Sequence, residues 1–226
     1  MSSFHAERLA FLDVRRYEYR AMARPKNQTA RRRQLTEAAG RAIIARGANA
    51  VRLKDIAEQA GVTPGAVLYY YPDVDALLVE VHRTAGERFC DARTTALERL
   101  TDPRLRMLAA VRSGLPTGPE DDTVRTLYEM DALVGKSTLY AALSISFFER
   151  QVALYQVILE AGVAQGYFTL SDDTATIGRN IVALEDAYGL HVLAGNPTID
   201  LAEAERLIVA YARAATGCDL TVPVAD

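Results

Sequence analysis

The chain has 226 residues, 50 % of them hydrophobic and 24 % charged, with a net charge of −3 and no tryptophan. That length buries a real core in one larger domain or in a small plus a medium domain, and the hydrophobic share excludes a disordered chain. No uninterrupted apolar stretch approaches the roughly 18 residues of a membrane span, and Cys90 and Cys218 are too few for a disulfide framework or a four-ligand zinc site. A reducing cytoplasm is the expected setting. The first 30 residues interleave Arg, Glu and Asp with apolar residues, a pattern unlike a secretory signal.

Charge is distributed unevenly. Residues 1–60 hold 13 Lys and Arg against 6 Asp and Glu, whereas residues 91–226 hold 11 against 19. A basic amino-terminal quarter on an acidic body points to a polyanion at one end, although a solvated helix face is also basic.

Nearly every segment reads as helix. Leu35, Ala38, Ala39, Ala42 and Ile43 share one face of a helix that Gly47 ends. Leu53, Ile56, Ala57 and Ala60 form a shorter apolar face, stopped by Gly61. Thr63-Pro64 opens a third helix, with Thr63 as cap and Pro64 at the first helical position. Val67, Leu68 and Tyr71 continue its buried face until Pro72. Asp73 caps a long helix to about Leu100, and Thr101-Asp102-Pro103 starts a short one. After a loop at Gly114–Pro119, helices are expected near Asp122–Val134 and Ser137–Gln165. A turn follows at Gly166–Asp173, with Ser171 and Asp172 as capping residues. Ile177, Ile181, Leu184 and Tyr188 stripe the next helix, which ends at Gly195-Asn196-Pro197. Leu201, Ala204, Ile208 and Tyr211 stripe the last, from about Asp200 to Thr216. With no period-2 run and no internal repeat, the fold class is all-α.

Two short helices separated by a glycine turn, the second opened by Thr-Pro-Gly, make Leu53–Tyr71 a candidate helix-turn-helix. A helix enters the major groove only if its first turn is slim and its flanks hold phosphate. Gly65 and Ala66 keep that turn slim; the Ala66 methyl suits a thymine methyl, and Thr63 and Tyr69 offer hydroxyls. Arg31, Arg32, Arg33, Arg52, Lys54 and Tyr70 are placed to hold backbone. The candidate DNA-contacting set is Arg31, Arg33, Arg52, Lys54, Thr63, Pro64, Gly65, Ala66, Tyr69 and Tyr70.

Residues 31–78 resemble the amino-terminal domain of the tetracycline-repressor (TetR) family. The resemblance rests on Arg46-Gly47, Asp55-Ile56-Ala57, Ala60-Gly61-Val62, Thr63-Pro64-Gly65, Tyr69-Tyr70-Tyr71 and Asp75-Ala76-Leu77-Leu78, in the family's order and spacing. It covers about a fifth of the chain. Three positions depart from the pattern: Leu68 stands in place of Tyr, Val74 in place of a phosphate-meeting Lys, and Arg52 in place of a Thr or Ser cap. Losing a phosphate contact weakens affinity rather than specificity. The resemblance implies a homodimeric transcriptional regulator, a repressor that releases a pseudo-palindromic double-stranded DNA operator when a small molecule binds its carboxy-terminal domain.

On that reading residues 1–27 are an amino-terminal extension, 28–73 the DNA-binding domain and 74–226 a helical ligand-binding and dimerisation domain. The extension is either an arm along DNA or, slightly favoured by its Glu7, Asp13 and Glu18, an added helix or loose segment. The resemblance also implies that the last two helices pair with a second copy through the stripes on Ile177–His191 and Leu201–Tyr211, which periodicity alone equally assigns to intramolecular core. The candidate effector set is His82, Phe89, Tyr128, Phe147, Gln151, Tyr155 and Tyr188, with Met130, Phe148 and His191 as further candidates. Large apolar bodies with polar tips suit a medium-sized, partly aromatic ligand. Glu129, Asp131, Glu185 and Asp186 would pair a cationic ligand if they point inward, but are expected on solvated faces.

Two motifs carry no chemistry. Gly135-Lys136-Ser137-Thr138 lacks the earlier glycine and the strand of a phosphate-binding loop, and reads as a helix break capped by Ser137. His5, His82 and His191 lack metal-ligand spacing, so no metal and no cofactor is expected. No convergent acid, base or nucleophile set supports a helical enzyme. A helical protein-interaction module is the remaining alternative, and steep salt dependence of binding separates DNA contacts from it.

Overall fold

The computed structural model describes residues 28–220. The amino-terminal extension lies outside the described residues. The first helix, α1, covers 28–46. It is followed by α2 (Leu53–Ala60), α3 (Pro64–Leu68), α4 (Val74–Leu97), α5 (Pro103–Gly114) and α6 (Asp122–Asp131). A 3₁₀ turn at Val134–Lys136 leads into α7 (Thr138–Ala164), α8 (Thr174–Leu193) and α9 (Leu201–Thr216). There is no strand among the described residues, and no helix among them is long and apolar enough to cross a membrane.

Local chemistry sets the helix ends. Aspartate caps dominate, because a short carboxylate meets the free amides of a first turn and complements its positive end. Asp73, Asp102, Asp121 and Asp200 each accept a backbone N–H bond from the first turn they precede. Ser137 caps α7 in the same way. At α8 the cap is Asp173, which accepts from the Thr176 amide at 2.9 Å, rather than Ser171 or Asp172; Asp172 instead holds the Asp173 amide at 2.8 Å. Gly47 and Gly61 end α1 and α2 at φ +81° and +64°, backbone that a side chain would strain.

The chain packs around two main apolar cores. In the amino-terminal core, Leu35, Ala38, Ala39, Ala42 and Ile43 of α1 meet Ile56, Ala57, Val67 and Tyr71. The same core takes in Leu77, Leu78 and Val81 from the first turns of α4, Met130 of α6, and Leu133 and Tyr140 beyond it. Packing therefore runs unbroken across residue 73. The second core joins α5, α7, α8 and α9.

Two expectations about buried faces change. Leu68 is 46 % exposed, while Val67 and Tyr71 are buried as expected; α3 has only five residues, so its orientation follows from docking on α2. The stripes of the last two helices prove to be intramolecular: Ile177, Ile181, Ala204 and Ile208 are each at most 1 % exposed within the chain's own core. The opposite faces, with Ala183, Ala187 and Leu190 on α8 and Ala202, Ala210 and Ala214 on α9, are open.

Candidate nucleic-acid interface and helical cavity

The helix-turn-helix is held by charge and capping as well as by its core. Arg52 precedes α2 without capping it, since a guanidinium has no acceptor; the Asp55 carboxylate reaches back to the Arg52 amide at 2.9 Å. Asp55 also pairs with Arg46 Nε at 3.1 Å, tying the end of α1 to the first turn of α2. Arg32 stacks over the Tyr71 ring, 4.3 Å from its centroid, and donates to the Tyr70 carbonyl at 3.0 Å. It therefore braces α1 against the end of α3. Gln34 and Arg41 donate to the Ala60 and Gln59 carbonyls at the end of α2.

On this frame, Thr63, Pro64, Gly65 and Tyr69 are exposed, and Ala66 and Tyr70 are partly exposed. Thr63 Oγ1 accepts the Ala66 amide at 3.3 Å, which leaves its hydroxyl proton available outward. Tyr69 is 74 % exposed and packs edge-to-face on Tyr70, centroids 5.0 Å apart. No atom of the described residues lies within 4 Å of where a Cβ on Gly65 would sit, so another surface is free to approach there. Arg52 and Lys54 are exposed. Arg31 is half-buried and donates to Gln34 at 2.6 Å, and Arg33 lies 3.8 Å from Glu37 with a largely free side chain.

Within the helical body, α4, α6, α7 and α8 enclose a cavity of about 80 Å³. His82, Phe89, Tyr128, Phe147 and Gln151 of the candidate effector set line it, joined by Phe148, Asp131, Ser144 and Asp186. Its size suits a smaller ligand than the medium-sized one expected from the sequence. Tyr155 and Tyr188 do not line it. Tyr155 is fully buried behind the wall, and Tyr188 packs against the second core. Met130 belongs to the amino-terminal core, and His191 is exposed beside Asn196 at 3.1 Å.

Behind the cavity lies a buried polar cluster that the sequence did not foretell. Arg93 of α4 donates to Glu185 Oε1 and Oε2 of α8, both at 3.0 Å, to Gln151 Oε1 at 3.0 Å, to the Tyr155 hydroxyl at 3.0 Å and to the Ala110 carbonyl at 3.1 Å. Tyr155 in turn donates to Glu185. Glu185, expected on a solvated face, is thus 2 % exposed and paired. Its neighbour Asp186 lines the cavity instead, where burial, reinforced by Glu185 and Asp131, pushes its carboxyl up to about 7. Burial also raises the Asp131 carboxyl and lowers the His82 imidazole.

A second hollow, of about 220 Å³, opens where α1, α4 and α6 meet and is crossed by an Arg88–Glu37 pair at 3.2 Å. Beside it, Glu129 of α6 accepts the Ala48 amide at 3.4 Å. Helix α6 thus faces the cavity through Tyr128 and Asp131 and the amino-terminal domain through Glu129 and Met130.

Comparison with known proteins agrees with this architecture. Residues 35–81 match the family described as bacterial regulatory proteins, tetR family. The HTH-type transcriptional regulator PksA of Bacillus subtilis is 30 % identical over 97 residues, 43 % of this chain and 46 % of that protein. The aligned stretch thus spans less than half the length of that curated relative. A TetR transcription regulator from Haloarcula marismortui superposes with a TM-score of 0.75 at 23 % identity, covering 83 % of this chain and 99 % of the other. A transcriptional regulator from Saccharomonospora viridis, in complex with choline, gives 0.74 at 24 % identity over 81 % of this chain and 95 % of that one. The structural likeness establishes the shared fold, and the matched residues carry the family's amino-terminal domain. Residues 35–81 are thus similar to the amino-terminal domain of the tetR family of bacterial regulatory proteins.

Proposed function

We propose that this protein is a homodimeric, sequence-specific DNA-binding regulator of transcription, a repressor that leaves its pseudo-palindromic operator when a small-molecule effector enters the helical body. The observation that carries the reading is the exposed first turn of α3. Thr63, Pro64 and Gly65 lie open, with Tyr69 beyond them, on a domain whose bulk is fixed by buried residues. A slim, rigidly held helix start is what the major groove admits, and Arg31, Arg33, Arg52, Lys54 and Tyr70 supply its phosphate contacts.

A single helix-turn-helix reads few base pairs, so a two-fold pair is needed to read a full site. The alanine-rich outer faces of α8 and α9, with Leu190 54 % exposed among them, are the surfaces we assign to that pairing. Residues 28–73 act as the DNA-binding unit and 74–226 as the effector and dimerisation unit, with the first turns of α4 shared between their cores.

The effector site is the cavity lined by His82, Phe89, Tyr128, Phe147 and Gln151. That one structural relative is in complex with choline supports a small organic effector for this chain. A ligand that favours a different setting of α6 would move Glu129 and Met130 against the amino-terminal domain. Two recognition helices would then no longer match grooves about 34 Å apart.

The test is selection from a random double-stranded DNA pool by the full-length protein at two salt concentrations. Enrichment of an inverted repeat, with binding that weakens steeply as salt rises, is expected. Recovery of no preferred sequence, or a flat salt response, overturns the reading.

A further inference from the structure

The cavity between α4, α6, α7 and α8 joins features that one ligand chemistry satisfies together. Its wall is aromatic: Phe89 and Phe147 meet edge-to-face with centroids 5.6 Å apart, and Tyr128 and Phe148 extend the surface. Its lining also carries two carboxylates, Asp131 and Asp186, both still open to water, and neither has an ion-pair partner among the described residues. The nearby Glu185 is already committed to Arg93 and Tyr155.

His82 adds an independent sign of a missing partner. It is 6 % exposed, lines the cavity, and meets the Phe147 ring at 6.2 Å. Neither ring nitrogen has a hydrogen-bond partner among the described residues, although a side chain buried to this degree is ordinarily satisfied.

Other ligand classes leave these groups in conflict. An anion would meet two carboxylates, and a purely apolar molecule would leave His82 and both aspartates unpaired. A metal ion is not suited, because no three His, Cys, Asp or Glu side chains converge to hold one among the described residues. An organic cation suits the ring faces, which attract positive charge that is already poorly hydrated. At about 80 Å³ the cavity limits the cation to a compact onium head with a short tail.

We infer that the cavity binds a small organic monocation, its onium head against Phe147 and Phe148 because Arg93 already lies over the Phe89 ring, with Asp131 and Asp186 as counter-charges and His82 hydrogen-bonded to a polar group on a short tail. This rests on the reading of the chain as an effector-responsive regulator and names the effector's chemical class.

Calorimetric titration of the full-length protein tests it with tetramethylammonium and choline, beside 3,3-dimethylbutan-1-ol, the neutral isostere of choline. At least one onium compound should bind, and choline should bind at least about tenfold more tightly than its isostere. The D131N/D186N variant should lose that preference. Phe147→Leu, which keeps apolar bulk but removes the ring, should weaken choline and leave the neutral compound unchanged; circular dichroism verifies that each variant is folded. No binding by any onium compound, or equal affinity for choline and its isostere in the unmodified protein, overturns the inference. A parallel titration on a selected operator fragment separates the two readings. Onium binding without DNA release sustains the ligand assignment and refutes the effector role, whereas failure to bind any DNA refutes the regulator reading and leaves the calorimetric result to stand on its own.

Discussion

Arg93 and Glu185 form a two-pronged ion pair inside the helical body, each prong 3.0 Å long and each side chain 1 % exposed. The pair links α4, which starts in the amino-terminal core, to α8, which carries the proposed dimer face. Removing one partner strands the other charge away from water, at a cost of about 3–5 kcal/mol, whereas replacing both with apolar groups is far less harmful. Arg93→Met and Glu185→Leu should therefore each destabilise strongly, and the double variant should recover most of the loss. Urea unfolding of the four proteins as a double-mutant cycle reads the coupling directly. Additive losses would show that the cluster acts through packing alone.

Gly114 gives that pair its room. A Cβ there would lie 1.8 Å from Glu185 Oε1 and 2.2 Å from its Cδ, so the carboxylate would have to leave its seat under Arg93. Gly114→Ala should cost on the order of 3 kcal/mol, because it breaks the pair from outside. In an R93M/E185A background the same change should be nearly neutral. An equal loss in both backgrounds would place the strain in the backbone of α5 instead.

Asp186 sets a pH dependence. Its carboxyl is pushed up to about 7 in the folded chain, chiefly by burial and then by Glu185 and Asp131, with Arg93 pulling the other way. Its ordinary value is 3.8. Between those values the folded state holds a proton that the unfolded state has lost, so stability falls as pH rises from about 4 to about 7. Below that window the effect vanishes, and above it the penalty is complete. Asp186→Asn should thus raise Tm at pH 8 and leave it nearly unchanged at pH 4. A cation in the cavity favours the ionised form, so its affinity should climb from pH 6 to pH 8 in the unmodified protein and stay flat in the variant. The other titratable groups around Asp186 are His82 and Arg93 on α4, Tyr128 and Asp131 on α6, Tyr155 on α7 and Glu185 beside it. Of these, Asp131 also faces the cavity, and burial raises its carboxyl as well.

Much of the architecture was legible in the sequence because it rests on local chemistry. Thr63-Pro64, Asp73 and Ser137 cap helices wherever they stand before an apolar period, and Gly47 and Gly61 end helices because they alone accept positive φ without strain. Arg93 was not legible. It sits in a stretch with Arg88 and Arg99 that reads as a solvated face, and its burial depends on partners 58, 62 and 92 positions away. Glu185 and Asp186 are adjacent and alike in charge, yet one is sealed and the other lines a cavity. That division depends on where α4 and α7 cross α8. Periodicity found the stripe of Ile177 and Ile181 but not which neighbour covers it, and the outer alanines of α8 and α9 are equally at home on either face.

At the DNA surface, phosphate contacts and base contacts should separate. Arg33→Ala and Lys54→Ala remove exposed charge from the flanks, so each should weaken binding to every sequence and reduce the salt slope by about 1. Tyr70→Phe should likewise weaken all sequences. Substitution of Ala66 or Tyr69 should instead change which sequence is preferred, since both lie at the exposed side of α3. Repeating the pool selection with each variant distinguishes the two classes. Uniform losses from both sets would refute this division of roles.

Transmission should run through Glu129 and Ala48. The carboxylate of Glu129 on α6 accepts the Ala48 amide at 3.4 Å, and Gly47 beside it leaves only 3.4 Å between its would-be Cβ and Glu129 Oε2. The turn after α1 is therefore held by the helix that walls the effector cavity. Glu129→Ala cuts that hold without touching the cavity lining or the α3 surface. Operator affinity should change only a few-fold, whereas the ratio of affinities with and without effector should shrink by at least about twofold, the lower end of what single coupling residues carry. Fluorescence anisotropy on a selected operator fragment, with the effector at saturation and absent, reads both quantities. An unchanged ratio would assign transmission to the packing of Met130 and Leu133 against the amino-terminal core instead.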